Sequence, residues 1–434
     1  MTDAILLKGG RLIDPKNHHD GICDLLLQAG KVARVDKQIS DFTDLRVIDV
    51  RGKWVVPGFI DLHVHLREPG EESKETILSG SRAAVSGGYT AIVAMPNTKT
   101  VNDNPQVTEF VLNRAREANL CRVYPAGAIS KGLKGEEMAE MGQLVEAGCV
   151  CVTDDGRPIM NAALMRRALQ YAKAFSIPVM VHEEDLNLSR KGLMTEGARA
   201  TRMGLLPIPP SAEVAMVARD LVLAEECGGR LHIAHLSCAG SVRLVREAQS
   251  RGIRVTAEVT PHHFSLTDSE LEGYNTHAKM NPPLRQMKDL DAIREAMIDG
   301  TLCAIATDHA PHGVLDKQVE FEKAANGIVG LETALPLTLE LVHQGILSIT
   351  RAIELLTSGP AEAFGLPGGH LSVGAPADVT VVDPEAKWQI DARRFYSKSR
   401  NSPFDGRQVR GRVTDCFVGG RQVLSEGIVE ENRR

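Results

Sequence analysis

Aromatic residues are scarce, only 4% of 434 residues, so an interior of any size must be filled mainly by Ala, Val, Ile and Leu; with 43% hydrophobic residues this is the composition of a compact α/β protein and excludes a disordered chain. Charge of one sign is also lacking. Fifty Lys and Arg against 56 Asp and Glu leave a net charge of −6, and the one terminal cluster, "NRR", reads as a solvated tail, which argues against a nucleic-acid surface. No uncharged apolar run approaches the roughly 18 residues of a spanning helix. The start, "MTDAILLKGG", carries an acid at position 3 and no basic lead into an apolar stretch, so a cytoplasmic protein is expected. The eight cysteines form no CxxC pair, and several sit inside apolar runs, which reads as reduced core thiols rather than a disulfide framework. No short repeat period is present.

What is present is a rhythm. Short runs rich in Val, Ile and Ala predict strands at 55–65, 89–96, 122–129, 149–155, 178–184, 231–237, 254–263 and 302–312. Between them lie segments of helical period such as "KETILSGSRAAVSGG", "MNAALMRRALQYAKAF", "SAEVAMVARDLVLAEEC" and "AGSVRLVREAQSRG". Eight strands alternating with helices imply a closed parallel (β/α)8 TIM barrel over 55–369. Residues 1–54 and 370–434 instead alternate apolar and polar with Gly-rich turns, as small antiparallel sheets do, and neither end buries much alone; the two are expected to pair into one small β-sandwich domain beside the barrel.

In such a barrel the reactive groups sit at the C-terminal strand ends. The first predicted strand ends in His63 and His65, the fourth in Asp154 and Asp155, the fifth in His182, the sixth in His235, and the eighth in Asp308 with His309 and His312 just beyond. Residues two apart on an extended strand share a face, so His63 and His65 can grip one cation. An HxH alone is as easily two polar residues on a solvated face; with His182, His235 and Asp308 each at another strand end, a metal centre is the better reading. Five such ligands exceed what one tetrahedral zinc with an open position needs, which suggests two metals and a bridge, for which Asp155 is preferred to Asp154, the latter being left as an N-cap or turn residue. Imidazole and carboxylate suit zinc and leave manganese and cobalt open. His232 has the wrong parity to join His235 and is expected to face the surrounding helices. His262 and His263, at the end of the seventh strand, are either outer partners of the site or plain structural residues. His18, His19, His277, His343 and His370 have no partner in sequence and read as ordinary.

The motifs "DLHVHLREPG", "AMPNT", "TDDG", "VHEED", "HLS", "TPHH", "KMNPPLR", "ATDHAPH" and "GLET", with "GAPADVTVVDP" in the tail, run almost end to end, and with them the chain resembles the class I dihydroorotases of the amidohydrolase superfamily. The resemblance implies that His63, His65 and Asp308 hold one zinc, His182 and His235 a second, and that Asp155 and a hydroxide bridge them. Many relatives bridge through a carboxylated lysine at the fourth strand end; here Lys131 and Lys134 belong to the preceding loop. It further implies substrate contacts from His65, Arg67, Asn97, Asn281, His312, Asn326 and Gly327, with Arg67 facing the substrate carboxylate and Asp308 also the catalytic proton carrier. For Arg67 the plain alternative is a surface pair with Glu68; for Asn281 it is a turn ahead of two prolines. The implied activity is the zinc-dependent, reversible cyclisation of N-carbamoyl-L-aspartate to L-dihydroorotate plus water in pyrimidine biosynthesis, by a cytoplasmic homodimer able to associate with aspartate transcarbamoylase. Another cyclic amidase (hydantoinase or allantoinase) and a non-catalytic scaffold for that transcarbamoylase are the alternatives. The polar stretch 311–327 is long for a βα connection and is expected to fold over substrate. Where many relatives carry an aromatic before the loop glycine and Thr or Ser after the "APH" histidine, this chain has Asn326 and Gly313.

Overall fold

The structure, a computed structural model, describes residues 4–40 and 45–430, and the terminal "NRR" lies outside them. Eight parallel strands form one sheet: β1 (Phe59–Val64), β2 (Tyr89–Ala94), β3 (Arg122–Gly127), β4 (Cys151–Thr153), β5 (Pro178–Val181), β6 (Arg230–Ile233), β7 (Val255–Val259) and β8 (Ala304–Ile305). β8 is much shorter than its apolar run, and the seam between β8 and β1 closes just past it. A Val64–His309 bridge, with the His65 amide donating to the His309 carbonyl at 2.9 Å, joins the first and last segments. Buried Asp61 locks the same seam by accepting from the amides of His63 and Thr307 at 3.0 and 3.1 Å.

The helices fall where apolar period and caps coincide. Ile77–Ser86 starts at Thr76, whose hydroxyl accepts from the Ser79 amide while Ser79 answers the Thr76 amide. Ser211–Cys227 ends at Gly228 with φ +62°, the left-handed exit a side chain would strain. Inside the barrel, Ile60, Leu62, Val93, Met180 and Ala304 pack in one cluster with Phe364 of the helix Ser358–Phe364, so the interior is filled rather than hollow.

The expected first strand is really two. Trp54–Pro57 pairs with Ile5–Asp14 and with Val379–Gln389 in the terminal sheet, and the barrel strand begins only at Phe59. Gly58 marks the change: a Cβ there would lie 2.1 Å from the Thr90 hydroxyl, so only glycine lets the chain cross so close to β2. Both chain ends feed this sheet, which among the described residues has nine strands. It is mixed rather than purely antiparallel, since Arg46–Asp49 and Trp54–Pro57 run parallel to Ile5–Asp14. Between Val379–Gln389 and Gln408–Val418 the chain leaves the sheet and lies across the barrel, where the Ser397 hydroxyl and Lys398 amide donate to buried Glu75. All eight cysteines are free thiols, seven of them buried. Among the described residues no helix is long and apolar enough to cross a membrane.

Candidate metal centre

His63 lies in β1 where the pairing with β2 shifts register between Asp61 and Val64, and His65 just past the strand; their rings are 5.3 Å apart. Simple two-residue parity therefore does not place them; the irregular strand end does. Asp154 and Asp155 follow β4, His182 follows β5, and His235 stands two residues beyond β6 with φ +32°. Asp308, three residues beyond β8, has φ +45°. Non-glycine residues in this region carry backbone strain of the kind that collects at functional sites.

The side chains converge. His63 Nε2 lies 3.2 Å from Asp155 Oδ1 and 3.5 Å from Asp308 Oδ1, and His65 Nε2 lies 3.0 Å from Asp308 Oδ1 and 3.5 Å from Asp155 Oδ2. His235 Nε2 is 3.6 Å from Asp155 Oδ1 and 2.9 Å from His182 Nδ1. Two triads each bring their ligand atoms within 4.8 Å of one another: His63, His65 and Asp308, and His63, Asp155 and His235. His63 belongs to both, and Asp155, a member of the second, also reaches His65 of the first at 3.5 Å. Among the described residues, buried His63 Nε2, Asp155 Oδ1 and His235 Nδ1 have no hydrogen-bond partner. Two of these orphans, His63 Nε2 and Asp155 Oδ1, face each other at the centre, the arrangement expected of donors that await a cation rather than each other. Burial pushes the Asp155 carboxyl up, but His63 and His235 outweigh it and hold the group well below the carboxylate range. His63 is correspondingly raised well above the ordinary histidine value by Asp155 and Asp308, against the effect of burial. This donor set fits one or two divalent cations.

Outer contacts orient the ligands. His63 Nδ1 is 3.0 Å from Glu258 Oε1, and the other oxygen of Glu258 is 3.0 Å from His232 Nε2, a fully buried line running down the barrel. Burial raises the Glu258 carboxyl, yet the two histidines bring it down to about 2. His232 thus faces the interior, not the surrounding helices: it shares its parity with inward Ala234 and packs edge-on against Phe364, while His235 reaches the mouth only through its turned backbone. Asp154 is the turn residue, accepting the amides of Ile129 and Ser130 at 2.8 and 2.9 Å. His309 points away, to Glu75 at 3.2 Å. The expected seventh strand stops at Val259, and His262 and His263 lie in the helix Pro261–Ser265; His263 bonds Thr260 and the Pro282 carbonyl, and His262 Nε2 is buried without a partner among the described residues.

The residues expected to meet substrate divide into two sides. Arg67, with φ +60° and no longer part of the strand, donates to the Pro311 carbonyl at 3.2 Å and lies 3.5 Å from His312 Nε2; His312 Nε2 also meets the Asn326 carbonyl at 2.8 Å. Glu68 does not pair with Arg67. Its carboxylate takes Arg114 and the Ile77 amide. Burial lowers the Arg67 guanidinium, and Glu71, Asp308 and Asp155 oppose that loss of charge, so the side chain sits within electrostatic reach of the centre. Asn97 Oδ1 accepts from His65 Nδ1 at 2.9 Å, which turns its amide nitrogen into the group left to donate. Across the mouth, Asn281 Nδ2 donates to Glu184 at 2.8 Å, and the same carboxylate lies 3.3 Å from His182 Nε2. Glu184 therefore links a candidate ligand to a candidate substrate residue.

Glu258, Glu184 and Asn401 were not singled out from sequence. Asn401, from the crossing segment, donates from its amide nitrogen to the carbonyls of Ala310 and Gly327 at 2.8 and 3.0 Å and accepts the His312 amide at 3.0 Å. Glu258 had a signal, a lone acid inside the apolar run of β7. Asn401 had none, because its partners are main-chain atoms some 75 to 90 residues earlier.

A family model described as "Dihydro-orotase-like" matches residues 52–241, and one described as "Amidohydrolase family" matches 210–410. A protein named dihydroorotase from Anaeromyxobacter sp. (strain K) is 58% identical over 98% of this chain and 99% of its own length; another so named, from Syntrophotalea carbinolica, is 54% identical over 96% and 98%. Among solved structures, the L-hydantoinase (dihydropyrimidinase) from Arthrobacter aurescens superposes with a TM-score of 0.90 at 28% identity, covering 99% of this chain and 98% of that one. The barrel and terminal sheet are thus an architecture shared with hydantoinases, while identity above one half along nearly the whole length lies with the other group: the chain belongs to the dihydroorotase family of the amidohydrolases.

Proposed function

We propose that the protein is a working dihydroorotase that interconverts N-carbamoyl-L-aspartate and L-dihydroorotate plus water, using two zinc ions. His63, His65 and Asp308 would hold one, His182 and His235 the other, with Asp155 shared. The observation that carries this reading is the convergence of His63, His65, Asp155, His235 and Asp308 from four strand ends around unpartnered buried atoms, with His182 Nδ1 3.9 Å from Asp155 Oδ1 and with Arg67 and His312 at one edge. A non-catalytic scaffold has no use for such a complete donor set. The reading also takes 55–369 as the catalytic unit and 1–54 with 370–434 as its companion, in a cytoplasmic homodimer that can join aspartate transcarbamoylase; co-migration of the two purified proteins checks the last point.

When bound, the cations supply Lewis acidity to the ring amide carbonyl and acidify the attacking water. The protein's own groups do the rest. Arg67 takes the exocyclic carboxylate, with Asn97 and His312 adding polar contacts, while Asn281 and the main chain of Asn326 and Gly327 meet the ring. Asp308 accepts the proton of the attacking water and returns it to the ring nitrogen as the C–N bond breaks; cyclisation is the reverse. Glu258, by accepting from His63 Nδ1, keeps Nε2 turned to the centre.

Turnover of dihydroorotate, hydantoin and allantoin by the purified, zinc-loaded protein tests the substrate. Dihydroorotate is expected to be preferred; faster turnover of hydantoin or allantoin would sink the assignment. Arg67→Ala should weaken dihydroorotate use by about 100-fold, chiefly through KM, because a charge-paired fork is lost. Glu258→Gln should weaken zinc affinity by about 10- to 100-fold in a competition titration with a chelator.

A further inference from the structure

The stretch 311–327 is not a loose flap. Its short helix Val314–Lys317 ends in a lysine that is only 2% exposed, and the Lys317 ammonium donates to the carbonyls of Thr276, Lys279 and Ala325 at 2.9, 3.3 and 2.7 Å. Lys279, 3% exposed, answers from the other side: its ammonium donates to the carbonyls of Phe321, Glu322 and Ala324 at 2.6, 3.1 and 2.7 Å and stands 5.1 Å from the Phe321 ring centre. Every acceptor given to these two cations among the described residues is a main-chain carbonyl. Each lysine therefore ties down the other's segment. Two further bonds follow the same seam, from the Thr276 hydroxyl to the Lys317 carbonyl at 2.7 Å and from the Gly327 amide to the Lys279 carbonyl at 3.0 Å.

An ammonium carries three hydrogens and can satisfy three carbonyls, which a neutral amine cannot. Burial and the neighbouring charge of Lys279 pull the Lys317 amine down to about 7, against Asp316. The geometry matters because of what the two segments carry. Lys279 lies two residues before Asn281, and 311–327 carries His312 at one end and Asn326 and Gly327 at the other. Lys317 is also near enough to His312 to help depress its imidazole, after burial and Arg67.

We propose that Lys279 and Lys317 are positioning residues: a reciprocal lysine–carbonyl latch that fixes the 311–327 segment against the Asn281 segment, setting the spacing between the two substrate-contacting sides before substrate arrives. The proposal rests on the functional reading above for what the latch serves, though not for its existence. Preorganisation of this kind acts on binding, because a loosened segment must be ordered again by each substrate molecule.

The test uses the full-length, zinc-loaded protein and the variants Lys317→Met, Lys279→Met and the milder Thr276→Val. Hydrogen–deuterium exchange should speed up by about tenfold or more at amides within 313–325 in the lysine variants, with the barrel strands unaltered. Steady-state kinetics on dihydroorotate should show KM rising by about tenfold and by more than kcat falls. Thr276→Val should move both readouts the same way by less, and it decides the matter if a lysine variant fails to fold. Unchanged exchange at 313–325, or a fall in kcat with KM held, overturns the latch. Wild-type inactivity on dihydroorotate would defeat the functional reading instead, and the exchange result would still decide whether the latch exists.

Discussion

Replacing Asp155 with Ala is expected to lower bound zinc from two to one or fewer per chain and to cut dihydroorotate turnover by about 1,000-fold or more, the scale on which loss of charge stabilisation at a reacting centre is felt. The reason is position. Among the described residues, Asp155 is the one carboxylate whose two oxygens approach His63 and His235 on one side and His65 on the other, at 3.2, 3.6 and 3.5 Å. Without it, five histidine and aspartate side chains remain, but no carboxylate links His65 to His235. Elemental analysis and kinetics on the same preparation check the claim together. Full zinc content with near-normal rates in Asp155→Ala would mean that the residue bridges nothing.

Asp308→Asn is the more selective change. Asparagine keeps an oxygen of similar reach toward His63 and His65, so zinc content should fall less than in Asp155→Ala, while the amide can no longer accept and return a proton. A fall in kcat of about 100- to 10,000-fold is expected, the usual weight of a positioned acid–base group. Burial would raise its carboxyl, yet His63 and His65 hold it below the ordinary range. A variant that keeps both zinc and rate would remove Asp308 from the proton path.

How far the sequence foretold this depends on the kind of contact. The barrel was legible because eight apolar runs alternate with amphipathic segments, and helices such as Ser211–Cys227 coincide with their periodic stretches. The gathering of His63, His65, Asp155, His182, His235 and Asp308 was legible because each stands at or just past a strand end, where the fold brings distant positions to one rim. Parity within a strand was a poorer guide. His232 turned inward and His235 reached the mouth by a positive φ, which periodicity cannot foresee. The division of 55–65 into two strands was hidden because both halves are equally apolar, and only the closeness of Gly58 to Thr90 separates them. Asn401 and the two latch lysines bond almost wholly to main-chain atoms, and a carbonyl leaves no mark in the amino-acid alphabet.

The most direct measurement is a crystal structure of the zinc-loaded protein with anomalous diffraction recorded on either side of the zinc absorption edge. Two peaks are predicted at the barrel mouth, one bonded by His63, His65 and Asp308, the other by His182 and His235, with Asp155 on both at about 2.0–2.2 Å. Zinc bound elsewhere, or no peak among these six side chains, would contradict the account.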